Sequence, residues 1–453
     1  MSVRVSSSVL IGSLVFSICG SPIRAGAQPP PEPPQHQHEP QNPPPGGEPA
    51  QQHDMQHMHM GDDQDMAMPP AREGSGTSWL PDETPMYAIH SEAGKWTLMA
   101  HGNAFLQYLH EGGDRGSDQG GSINWFMGMA YRNVGTGHLG FRGMISLEPW
   151  TIRGCGYPDL LASGELCQGE AIHDQQHPHD LFMELAATYD TPIAGDIRLQ
   201  LYGGPVGEPA LGPTAFPHRI SAMPSPLAPI SHHWLDSTHI TYGVVTGGVY
   251  GKLWKAEASV FNGREPDENR TNFDFGAMDS WSGRVWYLPT NRWALQISGG
   301  HLEEAEARHD GGPRIDVNRV TASATYHRIF RPGSVWASTV GWGRNQEAGN
   351  DATNALLAET NLTVDERDTW FGRVELSGKS GHDLAIESAD IFTVAKLQGG
   401  YTRYFDAWSG LKPGIGAGVS AGIVPDSLKA FYGSRVNVGV AVFVTLRPAE
   451  SKM

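Results

Sequence analysis

Hydrophobic and polar residues alternate with a period of two along much of the chain. The clearest run sets Val436, Val438, Val440, Val442, Val444 and Leu446 against Asn437, Gly439, Ala441, Phe443 and Thr445. A second sets Leu411, Ile415, Ala417, Val419, Ala421 and Ile423 against Lys412, Gly414, Gly416, Gly418, Ser420 and Gly422. A third sets Ile123, Trp125, Met127, Met129 and Tyr131 against Asn124, Gly128, Ala130 and Arg132. Successive strand side chains point to opposite faces, so each run predicts a strand with one apolar face and one polar or small face. Sixteen such segments begin near Trp96, Ser122, His138, Asp180, Asp196, Thr238, Lys252, Asp279, Arg292, Val317, Ser334, Thr353, Asp368, Phe392, Gly410 and Ser434.

The connections between these segments alternate in length. Those at 133–137, 191–195, 251, 289–291, 331–333 and 407–409 are short, whereas those at 150–179, 203–237, 262–278 and 301–316 are long. A membrane-spanning barrel has short turns on one side, long loops on the other and an even number of strands. Two packed sheets predict no such rule. Trp96, Trp150, Trp254, Trp293, Trp336 and Trp370 fall near segment ends, as an interfacial girdle requires. The expected fold is all-β: a transmembrane antiparallel β-barrel of about 16 strands, within a range of 14–18. Its apolar faces would meet lipid, its polar faces would line the lumen, and both ends would emerge on the short-turn side.

The first 76 residues do not fit this pattern. Arg4, an apolar run from Val9 to Cys19 and the small residues Ala25, Gly26 and Ala27 have the order of a secretory signal peptide, expected to span 1–27. The apolar run is too short for a helix that crosses a bilayer, which needs ~20 residues. From Gln28 to Arg72 the chain holds twelve Pro in 45 residues and no Ile, Leu, Val or aromatic residue. Such a segment cannot bury a core, so 28–76 reads as a disordered tail ahead of a barrel domain at 77–453. The expected location is the outer membrane of a two-membrane bacterium, with the tail in the periplasm.

Charge and cysteine usage narrow the chemistry. The net charge is −17, and loss of Arg4 and Arg24 with the signal segment takes it to −19. Nucleic-acid binding rests on cations that neutralise phosphates, so no nucleic-acid partner is expected. Cys155 and Cys167, twelve residues apart, predict a disulfide across one loop in an oxidising compartment. No nucleophile-elbow, HExxH or phosphate-loop pattern is present, and the chain does not read as an enzyme. The lumen is expected to lean basic. Arg132, Arg142, Arg198, Lys255, Arg284, Arg319, Arg373, Lys396, Lys412 and Arg435 are assigned inward, against Glu148, Glu184, Glu257 and Glu375.

Candidate metal ligands occur in two places. The tail carries His36, His38, His53, Met55, His57, Met58, His59, Met60, Met66 and Met68. Methionine has no core to fill there, and interleaved thioethers and imidazoles suit copper, Cu(I) above all. The second place is two long loops. One holds His173, His177 and His179; the other holds Glu208, His218, Arg219, Met223, His232, His233, Asp236 and His239. These histidines could hold a metal or brace a loop folded into the lumen.

The order of signal segment, His/Met-rich tail from His53 to Met68 and β-barrel resembles the outer-membrane copper resistance protein B family, the likeness lying in the tail. The segments TPMYAIH, QHPHDLFMEL and ISHHWLDSTHITYGVVTGG also resemble uncharacterised outer-membrane proteins associated with metal-resistance gene clusters. The resemblance implies copper or another soft metal as cargo, with outer-membrane lipid, the metal ion and periplasmic metal-handling proteins as partners. The reading that stands beside it is a general or substrate-specific porin with an anion-leaning lumen and an incidental tail.

Overall fold

The structure is a computed structural model and describes residues 70–307 and 312–451. The segment 1–27 and all ten tail residues assigned to copper, from His36 to Met68, lie outside the described residues.

Sixteen antiparallel strands close into a barrel. A short strand, β1 (Ile89–Ala93), precedes them. The barrel opens with β2 (Trp96–Glu111), β3 (Asp118–Val134) and β4 (Gly137–Ile145). The hairpin β5 (Tyr157–Cys167) and β6 (Glu170–Gln176) stands apart as a two-stranded sheet within the next loop. The barrel resumes with β7 (Phe182–Ala194), β8 (Ile197–Gly207), β9 (Thr241–Tyr250), β10 (Trp254–Phe261), β11 (Ser280–Thr290) and β12 (Trp293–Glu306). It ends with β13 (Ile315–Arg331), β14 (Ser334–Glu347), β15 (Thr353–Val364), β16 (Asp368–Lys379), β17 (Phe392–Tyr404), β18 (Leu411–Ile423) and β19 (Val436–Pro448). Closure joins the last strand to the first: Gly439 of β19 faces Glu111 of β2, and the ladder runs to Leu446 opposite Ala104. The other half of β2, Trp96 to Ala100, pairs instead with β1.

The two faces follow the alternation in the sequence. Val436, Val438, Val440, Val442, Val444 and Leu446 are 41–56% exposed, while Asn437, Ala441, Phe443 and Thr445 between them are buried. Exposed apolar side chains recur around the outer wall, including Leu106, Val245, Ile297, Val340, Leu356 and Val374. An apolar band of that extent belongs in hydrocarbon, and the protein is an outer-membrane-type β-barrel.

One strand reverses its expected orientation. On β3 the residues Trp125, Met127 and Met129 face inward and are buried, whereas Phe126 is exposed to the outside. Arg132 therefore lies on the outer face, stacked over Trp96 at the strand end. The apolar residues point inward because the lumen supplies an apolar partner. They pack with Met144, Met183, Val206, Ile240 and Tyr242 in one cluster. Two of the acid and base assignments change as well. Arg435 precedes β19 and is exposed, and Glu148 sits on a short helix, Glu148–Thr151, in the loop after β4.

The lumen is filled. Inward residues across the barrel are buried, among them Gln107, Arg142, Lys255, Thr321, Ala337, Glu359, Arg373 and Lys396. Two segments account for much of this. Residues 70–88 enter from the short-turn end, and the loop 208–240 folds in from the other. Arg72 pairs with Asp82 (2.7 Å) and donates to the Lys252 carbonyl (2.8 Å). Trp79 packs with Tyr250, Trp286, Leu288 and Ala294 of the wall. Arg142 reaches the carboxylate of Glu73 and the carbonyls of Gly74 and Gly76 at 2.8–3.1 Å. Lys255 donates to the Thr77 carbonyl, and Arg284 to the Thr77 hydroxyl at 3.1 Å. The boundary drawn at 76/77 thus cuts through an inserted segment. At the long-loop end the hairpin β5–β6, in which the Cys155–Cys167 disulfide ties the end of β5 to the residues just before it, packs Leu160 and Leu161 against Leu384, Val424, Leu428 and Tyr432.

Candidate functional site

The loop 208–240 carries Pro209, Pro213, Pro217, Pro224, Pro226 and Pro229, which prevent a long helix. It folds instead as single turns, Phe216–His218, His232–Leu235 and Ser237–His239. Arg219 anchors it. Its guanidinium is buried against Asp236 of the same loop and against Glu359 of β15 at 2.7 Å. Glu359 also accepts from the Ser221 hydroxyl (2.8 Å) and from Arg373 of β16 (3.2 Å). Burial alone would raise the Asp236 carboxyl, but Arg219 and His232 hold it below the usual carboxylate range. Each buried charge therefore has partners, the condition under which such groups are tolerated.

Five of the seven loop histidines named from the sequence form a row inside the barrel. Ring centroids are 5.4 Å apart for His179 and His239, 5.1 Å for His239 and His232, and 5.4 Å for His232 and His233. His177 follows at 6.1 Å from His233. Phe216 lies against three of the rings at 5.2–5.8 Å. His173 does not join the row; its Nδ1 lies 2.9 Å from Asp174, beside Arg115. Adjacency to Asp174 in the sequence fixes it there.

Three of the rings are oriented through Nδ1. His179 meets the Glu148 carboxylate at 3.0 Å, His232 meets Asp236 at 2.7 Å, and His239 meets the Asp236 carbonyl at 2.8 Å. In the neutral ring these acceptors place the proton on Nδ1 and leave Nε2 as a lone-pair donor. The Nε2 atoms of His233 and His239 are buried and have no hydrogen-bond partner among the described residues. Burial pushes His232 down to about 4, against the pull of Asp236. Burial and the neighbouring His232 likewise push His239 well down. Burial also acts on His179, but Glu148 outweighs it and the net shift is upward. Burial raises Asp180 to about 7 despite Arg270 nearby.

His232 and His239 are thus neutral, oriented imidazoles, the form in which histidine ligates metals. The donor atoms of the row do not converge on one point. The group of His, Asp and Glu residues among the described ones whose ligand atoms all lie within 4.8 Å is His301, Glu303 and Asp316, each partly exposed. Sequence reasoning did not single it out, because three residues on two strands show no shared spacing.

No family model matches the chain, and no curated protein matches it. Solved structures do. Salmonella typhi OmpF in complex with daunomycin is similar over 79% of this chain and 100% of its own, at 11% identity and a TM-score of 0.50. An anion-selective porin from Comamonas acidovorans matches over 78% of this chain and 99% of its own, at 10% identity and a TM-score of 0.47. Pseudomonas putida OprB matches over 78% and 94%, at 9% identity and a TM-score of 0.47. At such identities the likeness to OmpF shows the fold, a porin-type barrel.

The lumenal charges bear on selectivity. Arg142 pairs with Glu73 and Glu184. Arg284 and Lys255 share Glu257. Arg373 pairs with Glu359, and Lys396 with Glu111 and Asp159. The expected acids were too few because Glu111 and Glu359 lie on the inward register but were not counted, and because inserted segments bring more. These inward cations are neutralised where they stand, whereas Arg319 is held by the neutral Asn345 and Ser237 side chains.

Proposed function

We propose that this chain is an outer-membrane conduit of porin type whose lumen is occluded at rest and which admits a selected solute. The burial of inward side chains beneath residues 70–88 and 208–240 carries the reading. A barrel of sixteen strands is wide enough for an aqueous channel when its interior is empty. Here the interior is occupied, so a wide passive pore is not the expected behaviour. The paired cations also argue against a simple anion preference. Planar-bilayer recording tests this. The folded full-length chain is expected to show little steady conductance, and deletion of residues 70–88 to raise it severalfold. A wide, steady conductance in the intact chain overturns the proposal.

A second reading concerns the cargo: a soft metal ion, bound by the tail and passed along the lumen. The row of oriented imidazoles favours it, together with the resemblance in the tail. Replacing the tail residues His53, Met55, His57, Met58, His59 and Met60 is expected to lower copper tolerance of the producing cells while leaving conductance unchanged. Unchanged tolerance refutes the tail's part in this reading.

A further inference from the structure

Next to the histidine row, at the short-turn half of the lumen, the lining of a cavity of about 70 Å³ includes four thioethers and two imidazoles beside Glu73, Arg142 and apolar residues. Met99 and His101 stand two residues apart on β2, on the same face. Directly opposite them on β3 are Met129 and Met127. The reversed face of β3 turns these thioethers into the lumen, where Met127 and Met129 are buried. The inserted loop closes the far side with His218 and Met223, and Met86 of the 70–88 segment completes the lining.

The histidines are placed as a pair. The rings of His101 and His218 are 5.6 Å apart, and both pack against Trp125, at 5.2 Å and 4.6 Å. His101 Nε2 is buried without a hydrogen-bond partner among the described residues. A buried imidazole nitrogen that bonds nothing costs free energy unless something else uses it. The loop is fixed directly after His218: Arg219 by Glu359, and the Met223 carbonyl by the Asn103 side chain at 3.1 Å.

The donor set selects its ion. Thioethers are soft and uncharged, and they suit Cu(I) and Ag(I). The carboxylate at this cavity, Glu73, is already held by Arg142 at 2.9 Å and by the Tyr131 hydroxyl at 2.9–3.0 Å. A divalent ion in so enclosed a place needs anionic ligands that the cavity does not offer, whereas a monovalent soft ion does not. Ordinary methionine packing explains the apolar contacts but leaves the two facing imidazoles and the unpartnered nitrogen unexplained.

We infer that Met99, His101, Met129, His218 and Met223 form a lumenal binding site for a soft monovalent metal ion, Cu(I) or Ag(I). The inference rests on the soft-metal reading of the cargo and names a site in the barrel wall that is separate from the tail. Chain connectivity makes the two consecutive: Met68 stands three residues before Ala71, which lines the same cavity.

The test uses the full chain folded in detergent, in chloride-free buffer, with Ag(I) as a redox-inert probe. Three versions are compared: the native chain, one with the six tail residues 53, 55, 57, 58, 59 and 60 replaced by Ser, and one with that tail plus Met99→Leu, Met129→Leu and His218→Gln. Heat-modifiable gel mobility checks that each barrel is folded. The tail-substituted chain is expected to retain one equivalent of Ag(I), and the combined variant to lose it. A second readout needs no lumenal substitution. Methyl signals of ¹³C-labelled Met99, Met129 and Met223 should shift on titration in the tail-substituted chain. No retained silver, or silver retained equally by the combined variant with unshifted methyl signals, overturns the site. Retained lumenal silver together with unchanged copper tolerance upholds the site and refutes metal cargo as its purpose.

Discussion

Replacing Glu359 by Gln removes the charge that holds the 208–240 loop to the wall. Glu359 is buried, with Arg219 at 2.7 Å and Arg373 at 3.2 Å, and it also accepts from Ser221 at 2.8 Å. The amide keeps the shape but leaves the buried Arg219 guanidinium with Asp236 as its only carboxylate and the buried Arg373 guanidinium with only the Leu227 carbonyl and the Gln398 amide oxygen. Removing one partner of a buried ion pair costs about 3–5 kcal/mol. At about 1.4 kcal/mol per factor of ten, the released form of the loop becomes on the order of 10²–10⁴ times more populated. Hydrogen exchange read by mass spectrometry on the folded barrel measures this through the amides of Phe216 and Met223, which are bonded to Asp236 and to the Arg219 carbonyl. The control is Asp365→Asn. Its pair with Arg331 has side chains 58% and 53% exposed, and its loss should leave the loop unchanged. A change of less than tenfold for Glu359→Gln, or equal effects of the two variants, refutes the assignment of Glu359 as the anchor.

Gly76 has φ +51°, and a Cβ there would lie 2.7 Å from Glu208 Cβ, so Gly76→Val should drive residues 70–88 from the lumen and expose the Arg72–Glu73 bond to trypsin. Acid should also loosen the loop. His218, His232 and His239 sit below their ordinary range when inserted, His232 at about 4, so the released loop takes up protons as pH falls from about 6.5 to 4 and insertion weakens; above that window these histidines add no change. Glu208, raised to about 7 mainly by burial, acts the other way as a single group, so conductance bursts should still become more frequent toward pH 4. Conductance that is flat between pH 7 and pH 4 refutes this balance. On the outer face, Val442→Arg places a cation midway along β19 and should cost about 2–4 kcal/mol of barrel stability, seen as a lower urea midpoint in vesicles.

The barrel was legible in the sequence because its signal is local. All sixteen expected strand starts fall within four residues of the observed ones, and the long and short connections alternate as read. The contents of the lumen were not legible for a physical reason. A polar inward residue looks the same whether it meets water or a buried carbonyl, and the partners of Arg142, Lys255 and Arg284 on residues 73–77 are more than sixty positions away. Alternation also cannot tell which side of an apolar face is outside, and β3 shows the cost of assuming lipid. The loop histidines were visible as a cluster of residue types. His101 was not, since a single imidazole within an alternating strand resembles any lumenal polar group.

The two lumenal obstructions differ in how they can be removed. The loop 208–240 is tethered at both ends to β8 and β9, so it can only swing. Residues 70–88 hang from one end. Pulled from the tail side, they can be drawn out one contact at a time: first the Arg72 clasp on Asp82, then the Glu73 and Thr77 bonds, then the Trp79 anchor. Nothing between barrel strands has to break, and the β1–β2 ladder of five residue pairs marks where the peeling stops. Mechanically the stopper is a zipper, and a load applied at its first residue, Pro70, meets small successive resistances instead of the strength of the whole barrel.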